Sequence, residues 1–503
     1  MGLIDNLIMG AHVAFAPTAL FFCFVGVFIG TFVGALPGIG PLAAISVTLP
    51  LTYGLDPTVA LIMLAGIFYG AQYGGSITSI LLNLPGTAST AVTALDGYPM
   101  TQQGKAGLAL FINAFASFCG SSFAICLVLG FSPLVSKVAL SFNSTEYFSM
   151  ILLALVASST LSGGSPLKSL VMVSFGVLLG MVGMDLNTGA MRFTFGFIEL
   201  SDGVSLIAVA MGLFGVAEVV KQMAAGPAPA KQKPPQVSLR DLVPDMGILR
   251  KLVGPILRGS ALGSLIGALP GAGPSLASFM AYGFERKVSR TPERFGKGAI
   301  EGVAAPEAAN NASVQAAFIP TLSLGLPGDV VMAVLLGAMM MYGVVPGPQF
   351  ITNEPEMFWG LIVSFWVGNI MLLVLNLPLI GVFVKIILIP QRYLYPAIIF
   401  FICLGAYSVS NNVFDIYVTI FFGIVGVLLN RFGFHPAPIL LGFILGPMME
   451  ENLRRALVIS RGRFDVFLER PVSAVLLLLT LILILWPLIK AIILRVRRTP
   501  SHS

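Results

Sequence analysis

Gly34-Ala35-Leu36-Pro37-Gly38-Ile39-Gly40-Pro41 and Gly267-Ala268-Leu269-Pro270-Gly271-Ala272-Gly273-Pro274 are one eight-residue phrase written twice, identical at seven positions. Each copy follows a short apolar stretch. Each half of the chain then carries a second Leu-Pro-Gly, at Leu84-Pro85-Gly86 and Leu326-Pro327-Gly328. Two paired elements in the same order indicate an internal duplication. Proline removes a backbone donor and breaks a helix. Glycine lets a ligand or a second backbone come close. The phrase therefore predicts interrupted helices inside apolar sequence, once in each half.

The surrounding sequence sets the solvent in which those breaks occur. Of the 503 residues, 56% are hydrophobic and only 10% are charged, and the mean hydropathy is +0.93. A soluble domain carries about 25% charged residues, and disorder requires low hydrophobicity. Between Asn6 and Leu95 the single charged side chain is Asp56. Ala106–Ser136, Tyr147–Leu167, Ala308–Gly328 and Met357–Val384 are further uncharged runs. At about 20 apolar residues per span, the chain holds roughly eleven to thirteen spanning or half-spanning segments. A transmembrane barrel shows short alternating segments instead. The fold class is an all-α polytopic membrane protein. The net charge of +6 fits orientation of membrane loops and implies no nucleic-acid partner. Met1–Gly10 does not read as a cleavable signal. Cys23, Cys119, Cys126 and Cys403 form no CxxC and read as packing residues. The three histidines are too scattered for a metal site.

Lys221–Arg258 interrupts the pattern with Pro, Ala, Gln and seven basic residues. It reads as a cytoplasmic linker. The expected organisation is a first membrane repeat over 1–220, the linker over 221–250, a second repeat over 251–470, and a terminal transmembrane helix with a basic tail over 471–503. The second GALPGAGP lies between basic loops, Arg250 to Arg258 upstream and Arg286 to Lys297 downstream. Both flanks belong in the cytoplasm, so the segment enters and returns as a re-entrant hairpin. Such a tip is tolerated only inside protein or beside a water-filled cavity. The first copy has nearly uncharged flanks, which suits the opposite side and an inverted-topology repeat. Pro447–Arg470 carries five arginines and the tail carries Lys490, Arg495, Arg497 and Arg498. One span separates them, so the orientation of the C-terminal helix stays open.

Broken helices near the bilayer midplane supply half-helix N-termini for anionic groups and free carbonyls for a coupling cation. The phrase around Gly38 and Gly271 is the first candidate for both. The bland alternative is a packing kink, since Gly and Pro are frequent in membrane helices, but the duplication favours a site. Polar runs accompany the tips: Ser76 and Thr78, then Pro85-Gly86-Thr87-Ala88-Ser89-Thr90, then Asn310, Asn311 and Ser313, with Pro327-Gly328 at the last tip. Small-residue helix packing accounts for Ser76 or Thr78 alone. Adjacent amides in hydrocarbon are costly unless bonded. Glu307, beside Pro306 and the amide pair, is the best intramembrane acid. It either binds a cation or caps a broken helix. Glu301 and Asp415 are weaker cases. The expected substrate contacts are thus Gly38, Ser76, Thr78, Pro85, Gly86, Thr87, Ser89, Thr90, Gly271, Asn310, Asn311, Ser313, Pro327 and Gly328. The expected cation ligands are Gly38, Gly271, Glu307 and Asn310.

No HExxH, Walker or GxSxG motif is present, which disfavours an enzyme or a nucleotide-driven pump. GALPGIGPLAAISVTLPLTYGLDP, FYGAQYGGSITSILLNLPGTASTAVTALDGYPM, GALPGAGPSLASFMAYGFERKVSR, EGVAAPEAANNAS, LSLGLPGD and EENLRRALVISRGRFDVFLERP occur in order along nearly the whole chain. In these stretches the chain resembles the large membrane subunit of the bacterial tripartite tricarboxylate transporters, the Tct-type permeases. The resemblance implies an inner-membrane carrier that takes up a di- or tricarboxylate with sodium or protons. It implies two partners, a small membrane subunit and a periplasmic solute-binding protein, and similarity to elevator-type carriers. It implies no cofactor beyond Na+ as coupling ion. The alternative is a channel-forming or structural subunit without concentrative transport.

Overall fold

The computed structural model describes residues 2–36, 40–161, 165–185, 188–225, 245–376 and 391–498. The long helices of the first half are α1 Leu3–Ala14, α2 Pro17–Gly34, α3 Pro41–Thr48, α4 Pro57–Leu82, α5 Ala91–Gln102, α6 Ala106–Ala139, α7 Ser144–Leu161 and α8 Pro166–Gly180. After a strand pair, β1 Gly183–Met184 and β2 Met191–Arg192, come α9 Leu206–Ala210 and α10 Ala217–Ala225. The second half continues with α11 Met246–Gly267, α12 Gly273–Val288, α13 Glu301–Ala316, α14 Phe318–Leu324, α15 Val330–Met341 and α16 Pro355–Asn376. It ends with α17 Gln391–Ser410, α18 Val413–Arg431, α19 Ala437–Ile459 and α20 Pro471–Arg498. Among the described residues, six helices are long and apolar enough to cross a membrane, and six shorter apolar helices accompany them. The chain is an all-α polytopic membrane protein. Its cysteines are all free.

Contacts divide the chain into two units. The first comprises 1–139 and 204–433, and the second 140–203 and 434–503. These units are not the two sequence halves, since each draws on both sides of the linker.

In the first unit each GALPGxGP phrase lies between two helices: α2 ends at Gly34 and α3 begins at Pro41, and α11 ends at Gly267 and α12 begins at Gly273. Residues 37–39, including the candidate Gly38, lie outside the described residues. Glycines spaced four apart lead up to both turns. A Cβ on Gly26, Gly30 or Gly34 of α2 would stand 2.3, 2.5 or 2.1 Å from the carbonyl oxygens of Met63, Ile67 and Ala71 on α4. A Cβ on Gly259, Gly263 or Gly267 of α11 would stand 2.3, 2.3 or 2.2 Å from those of Ala305, Ala309 and Ser313 on α13. In lipid, where apolar burial drives nothing, such small-residue seams let helices join backbone to backbone. The seams join α4 to α2 and α13 to α11 in the same way.

Both Leu-Pro-Gly breaks are also made alike. Asn83 (φ 57°) and Gly325 (φ 70°) end α4 and α14 in the left-handed conformation, which terminates a helix. Leu-Pro-Gly follows each, and a second helix, α5 or α15, begins shortly after. Asp56, the single charged side chain between Asn6 and Leu95, caps α4 by accepting from the amides of Thr58 (2.9 Å) and Val59 (3.4 Å).

The second unit packs α8 against α19 through Gly176 and Gly442, with α7 and α20 beside them. At one end of it, Arg192 donates to Glu450 at 2.9 Å, and Arg454 pairs with Glu450 (2.6 Å) and Asp185 (3.3 Å). Arg470 pairs with Glu146 at 2.9 Å. Arg455 and Arg463 have acidic partners on their own segment. Four of the five arginines in 447–470 are therefore ion-paired.

Candidate functional site

Helix α13 reads EGVAAPEAANNASVQA and is buried at every residue from Gly302 to Ala316. Alanine suits this position because its walls are other helices: α6, α11 and α12 all pack against it. Its polar side chains must find partners inside protein, and Glu307 finds three. Ser76 of α4 donates its hydroxyl to Glu307 Oε1 at 2.8 Å. Thr93 of α5 donates to the same oxygen, and Ser117 of α6 donates to Oε2 at 3.3 Å. Asn311 completes the group by donating to Ser117 Oγ (2.7 Å) and to the Glu307 carbonyl (3.1 Å). Three first-half helices thus converge on one carboxylate of the second half. Glu307 makes no ion pair among the described residues. Asn310 lies beside the carboxylate but completes no hydrogen bond with it. Both its amide atoms, the Asn311 carbonyl oxygen and the Ser313 hydroxyl are buried without a partner.

One face of α4 continues the network. Gln72, Ser76 and Ser79 sit at successive turns, and all are buried. Gln72 Oε1 accepts from Ser89 (2.8 Å) and Thr87 (3.2 Å) beyond the first Leu-Pro-Gly. Ser79 donates to Thr90 at 2.9 Å. Gly86 closes against this face. Its amide donates to the Gly75 carbonyl at 3.3 Å, and a Cβ there would stand 2.2 Å from the Gly34 carbonyl oxygen. The two breaks of the first half therefore meet. Those of the second half meet as well, through a 2.8 Å bond from the Gly271 amide to the Gly328 carbonyl. Gly271 takes φ 81° there, a conformation glycine adopts without strain.

The structure brings together Ser76, Gly86, Thr87, Ser89, Thr90, Glu307, Asn310 and Asn311, and groups Gly271, Pro327 and Gly328 at a second tip. The two groups share no hydrogen bond among the described residues. Thr78 turns back on its own helix, donating to the Gly75 carbonyl at 3.1 Å. Pro85 is exposed. Four polar residues were missed in the sequence. Gln72, Thr93 and Ser117 lie in uncharged runs, where the argument applied to the asparagines applies to them. Asp329 caps α15 by accepting from the Met332 amide at 2.8 Å, and its signal was its place directly after the last Leu-Pro-Gly.

Residues 20–441 match the family described as "Tripartite tricarboxylate transporter TctA family". Two curated Agrobacterium vitis proteins are similar. An uncharacterized 52.8 kDa protein in the TAR-I ttuC' 3' region is 48% identical over 480 residues, covering 95% of this chain and 94% of its own. An uncharacterized protein in the TAR-II ttuC' 3' region is 53% identical over 230 residues, covering 46% of this chain and 95% of its own. No solved structure matches the chain.

Proposed function

The chain belongs to the tripartite tricarboxylate transporter TctA family, and from that premise we propose that it carries a di- or tricarboxylate inward together with cations. The observation that carries this reading is Glu307, a buried carboxylate bound by hydroxyls of three helices and by no basic side chain. A citrate-like cargo brings two or three negative charges. A helix terminus supplies only about half a positive charge. A fixed carboxylate nearby raises the cost further, because two like charges 4 Å apart repel by about 4 kcal/mol at an effective dielectric of 20. Cations must therefore enter with the anion. Glu307 and the unbonded amide oxygens of Asn310 and Asn311 form an oxygen-only group suited to a hard cation such as sodium. Gly271, Thr87, Ser89 and the other residues at the tips are the substrate side of the proposal, as is Gly38.

The paired hairpins, paired glycine seams and paired left-handed turns support an inverted repeat moving in the elevator manner. In this reading the periplasmic binding protein delivers the carboxylate and a small membrane subunit completes the carrier in the bacterial inner membrane. Uptake of labelled citrate into proteoliposomes tests the coupling. It should rise steeply with an inward sodium gradient, or with an inward proton gradient if Glu307 carries the proton. Uptake indifferent to both gradients would overturn the carrier and favour a channel.

The orientation proposed for the first unit rests on one crossing. α9 to α10 leads into the basic linker, which belongs in the cytoplasm. A single cysteine at Ser289 in a cysteine-free background should label only from the cytoplasm. Labelling from the periplasm would overturn this topology.

A further inference from the structure

Helix α5 follows the first Leu-Pro-Gly break and carries two buried side chains one turn apart. Thr93 is on Glu307. Asp96, fully buried, faces the segment that leads into α13. Its Oδ1 accepts from the amides of Gly296 (2.9 Å), Gly298 (2.8 Å) and Ala299 (2.8 Å). Its Oδ2 accepts from the phenol of Tyr282 on α12 at 2.9 Å. Gly296 (φ 81°) and Gly298 (φ 98°) are left-handed, and this lets successive amides converge on one anion. Gly302, in the first turn of α13, leaves room for the carboxylate: a Cβ there would stand 2.1 Å from Asp96 Oδ2. Gln103, at the end of α5, adds a second fastening by donating to the Lys297 carbonyl at 2.9 Å.

An isolated loop needs none of this to satisfy its amides, since water or a carbonyl would serve. A buried carboxylate is a costly acceptor, and it fixes geometry more tightly, because charge-assisted bonds are roughly twice as strong as neutral ones. What it fixes is the register of α5 against α13, and that register decides whether Thr93 reaches Glu307. The other half has a corresponding but neutral brace. Tyr342, at the end of α15, donates to Thr52, beyond α3, at 2.5 Å. In both halves the helix after Leu-Pro-Gly holds the returning arm of the opposite hairpin. Only one of the two braces carries charge.

We propose that Asp96 is a positioning residue for cation coupling: it pins α5 to the start of α13, so that Thr93 stays on Glu307 and α5, α12 and α13 travel as one body. The proposal rests on the coupled-carrier reading above.

The test uses the full chain in proteoliposomes. Asp96→Asn keeps the shape and removes the charge. It should raise the half-saturating concentration of the driving cation by at least about tenfold, the worth of one bond to a charged group. The citrate KM at saturating cation and the thermal midpoint in detergent should stay near wild type, a split that a general folding defect does not produce. An Asp96→Asn carrier with wild-type cation dependence would overturn the positioning role. A separate arm stands if that variant does not fold. Gln103→Cys with Lys297→Cys, joined by a short thiol cross-linker, should retain uptake, because residues of one body need not separate. Uptake abolished by the cross-link and restored on its cleavage would overturn the one-body placement. If wild-type uptake shows no cation dependence, the coupled-carrier reading is what fails, and the cross-link arm still decides the placement.

Discussion

Uptake by a Glu307→Gln variant should fall by at least about 100-fold and lose its dependence on the driving cation. A cation about 4 Å from a carboxylate at an effective dielectric of 20 gains about 4 kcal/mol, and each 1.4 kcal/mol is a factor of ten in affinity. Glutamine keeps the volume but removes the charge. It also turns an amide NH2 toward one of the hydroxyls that now donate to the carboxylate, Ser76 at 2.8 Å and Ser117 at 3.3 Å. The protein should still insert and fold, because replacing a buried carboxylate by an amide leaves no cavity. Counterflow at fixed sodium and a pH series separate the two cations. A sodium site loses its sodium dependence in the variant, and a proton site loses its pH dependence. A Glu307→Gln carrier with wild-type response to both would show that the carboxylate only joins helices.

Gly86→Ala should be nearly as severe for a steric reason. An added Cβ would stand 2.2 Å from the Gly34 carbonyl oxygen and 2.4 Å from the Gly75 Cα. Both obstacles are backbone, so no rotamer change relieves them. The first Leu-Pro-Gly must then withdraw from the hairpin tip, breaking the 3.3 Å bond from Gly86 to Gly75 and carrying Thr87 and Ser89 off Gln72. Overpacking of this kind costs about 1–3 kcal/mol of stability. A misplacement of about 1 Å at a site costs about 100-fold in rate. Gly130→Ala is the control, since a Cβ there meets nothing within 4 Å. Uptake by Gly86→Ala at the Gly130→Ala level would show that the tips need not touch.

Much of this is legible in the sequence alone. Long uncharged runs mark spans because hydrocarbon excludes charge. The doubled GALPGxGP marks two helix breaks, and in both copies one helix ends at the first glycine and another begins within the phrase. Proline and glycine act on their own backbone, so a local reading of them transfers to the fold. Glu307 and Asn311 stand out for a similar reason, since a polar group in an apolar run needs a partner somewhere in the molecule, and both find one.

Which partner each one has was not legible. Ser76 and Glu307 are 231 residues apart, and nothing local in either stretch names the other. Thr78 has the same chemistry as Ser76 two positions earlier, yet it bonds within its own helix because successive side chains of a helix point in different directions. Asp96 stands in the ALDGYP of a family-like stretch without any local sign of its partners, and only the folded chain brings three amides of the second half to its carboxylate. The sequence by itself determined the solvent, the helical class and the places where helices break, since these depend on local composition and backbone freedom. The tertiary structure alone decided which polar groups meet, since that depends on the rotation and depth of each helix, set here by glycine seams between segments far apart in the chain.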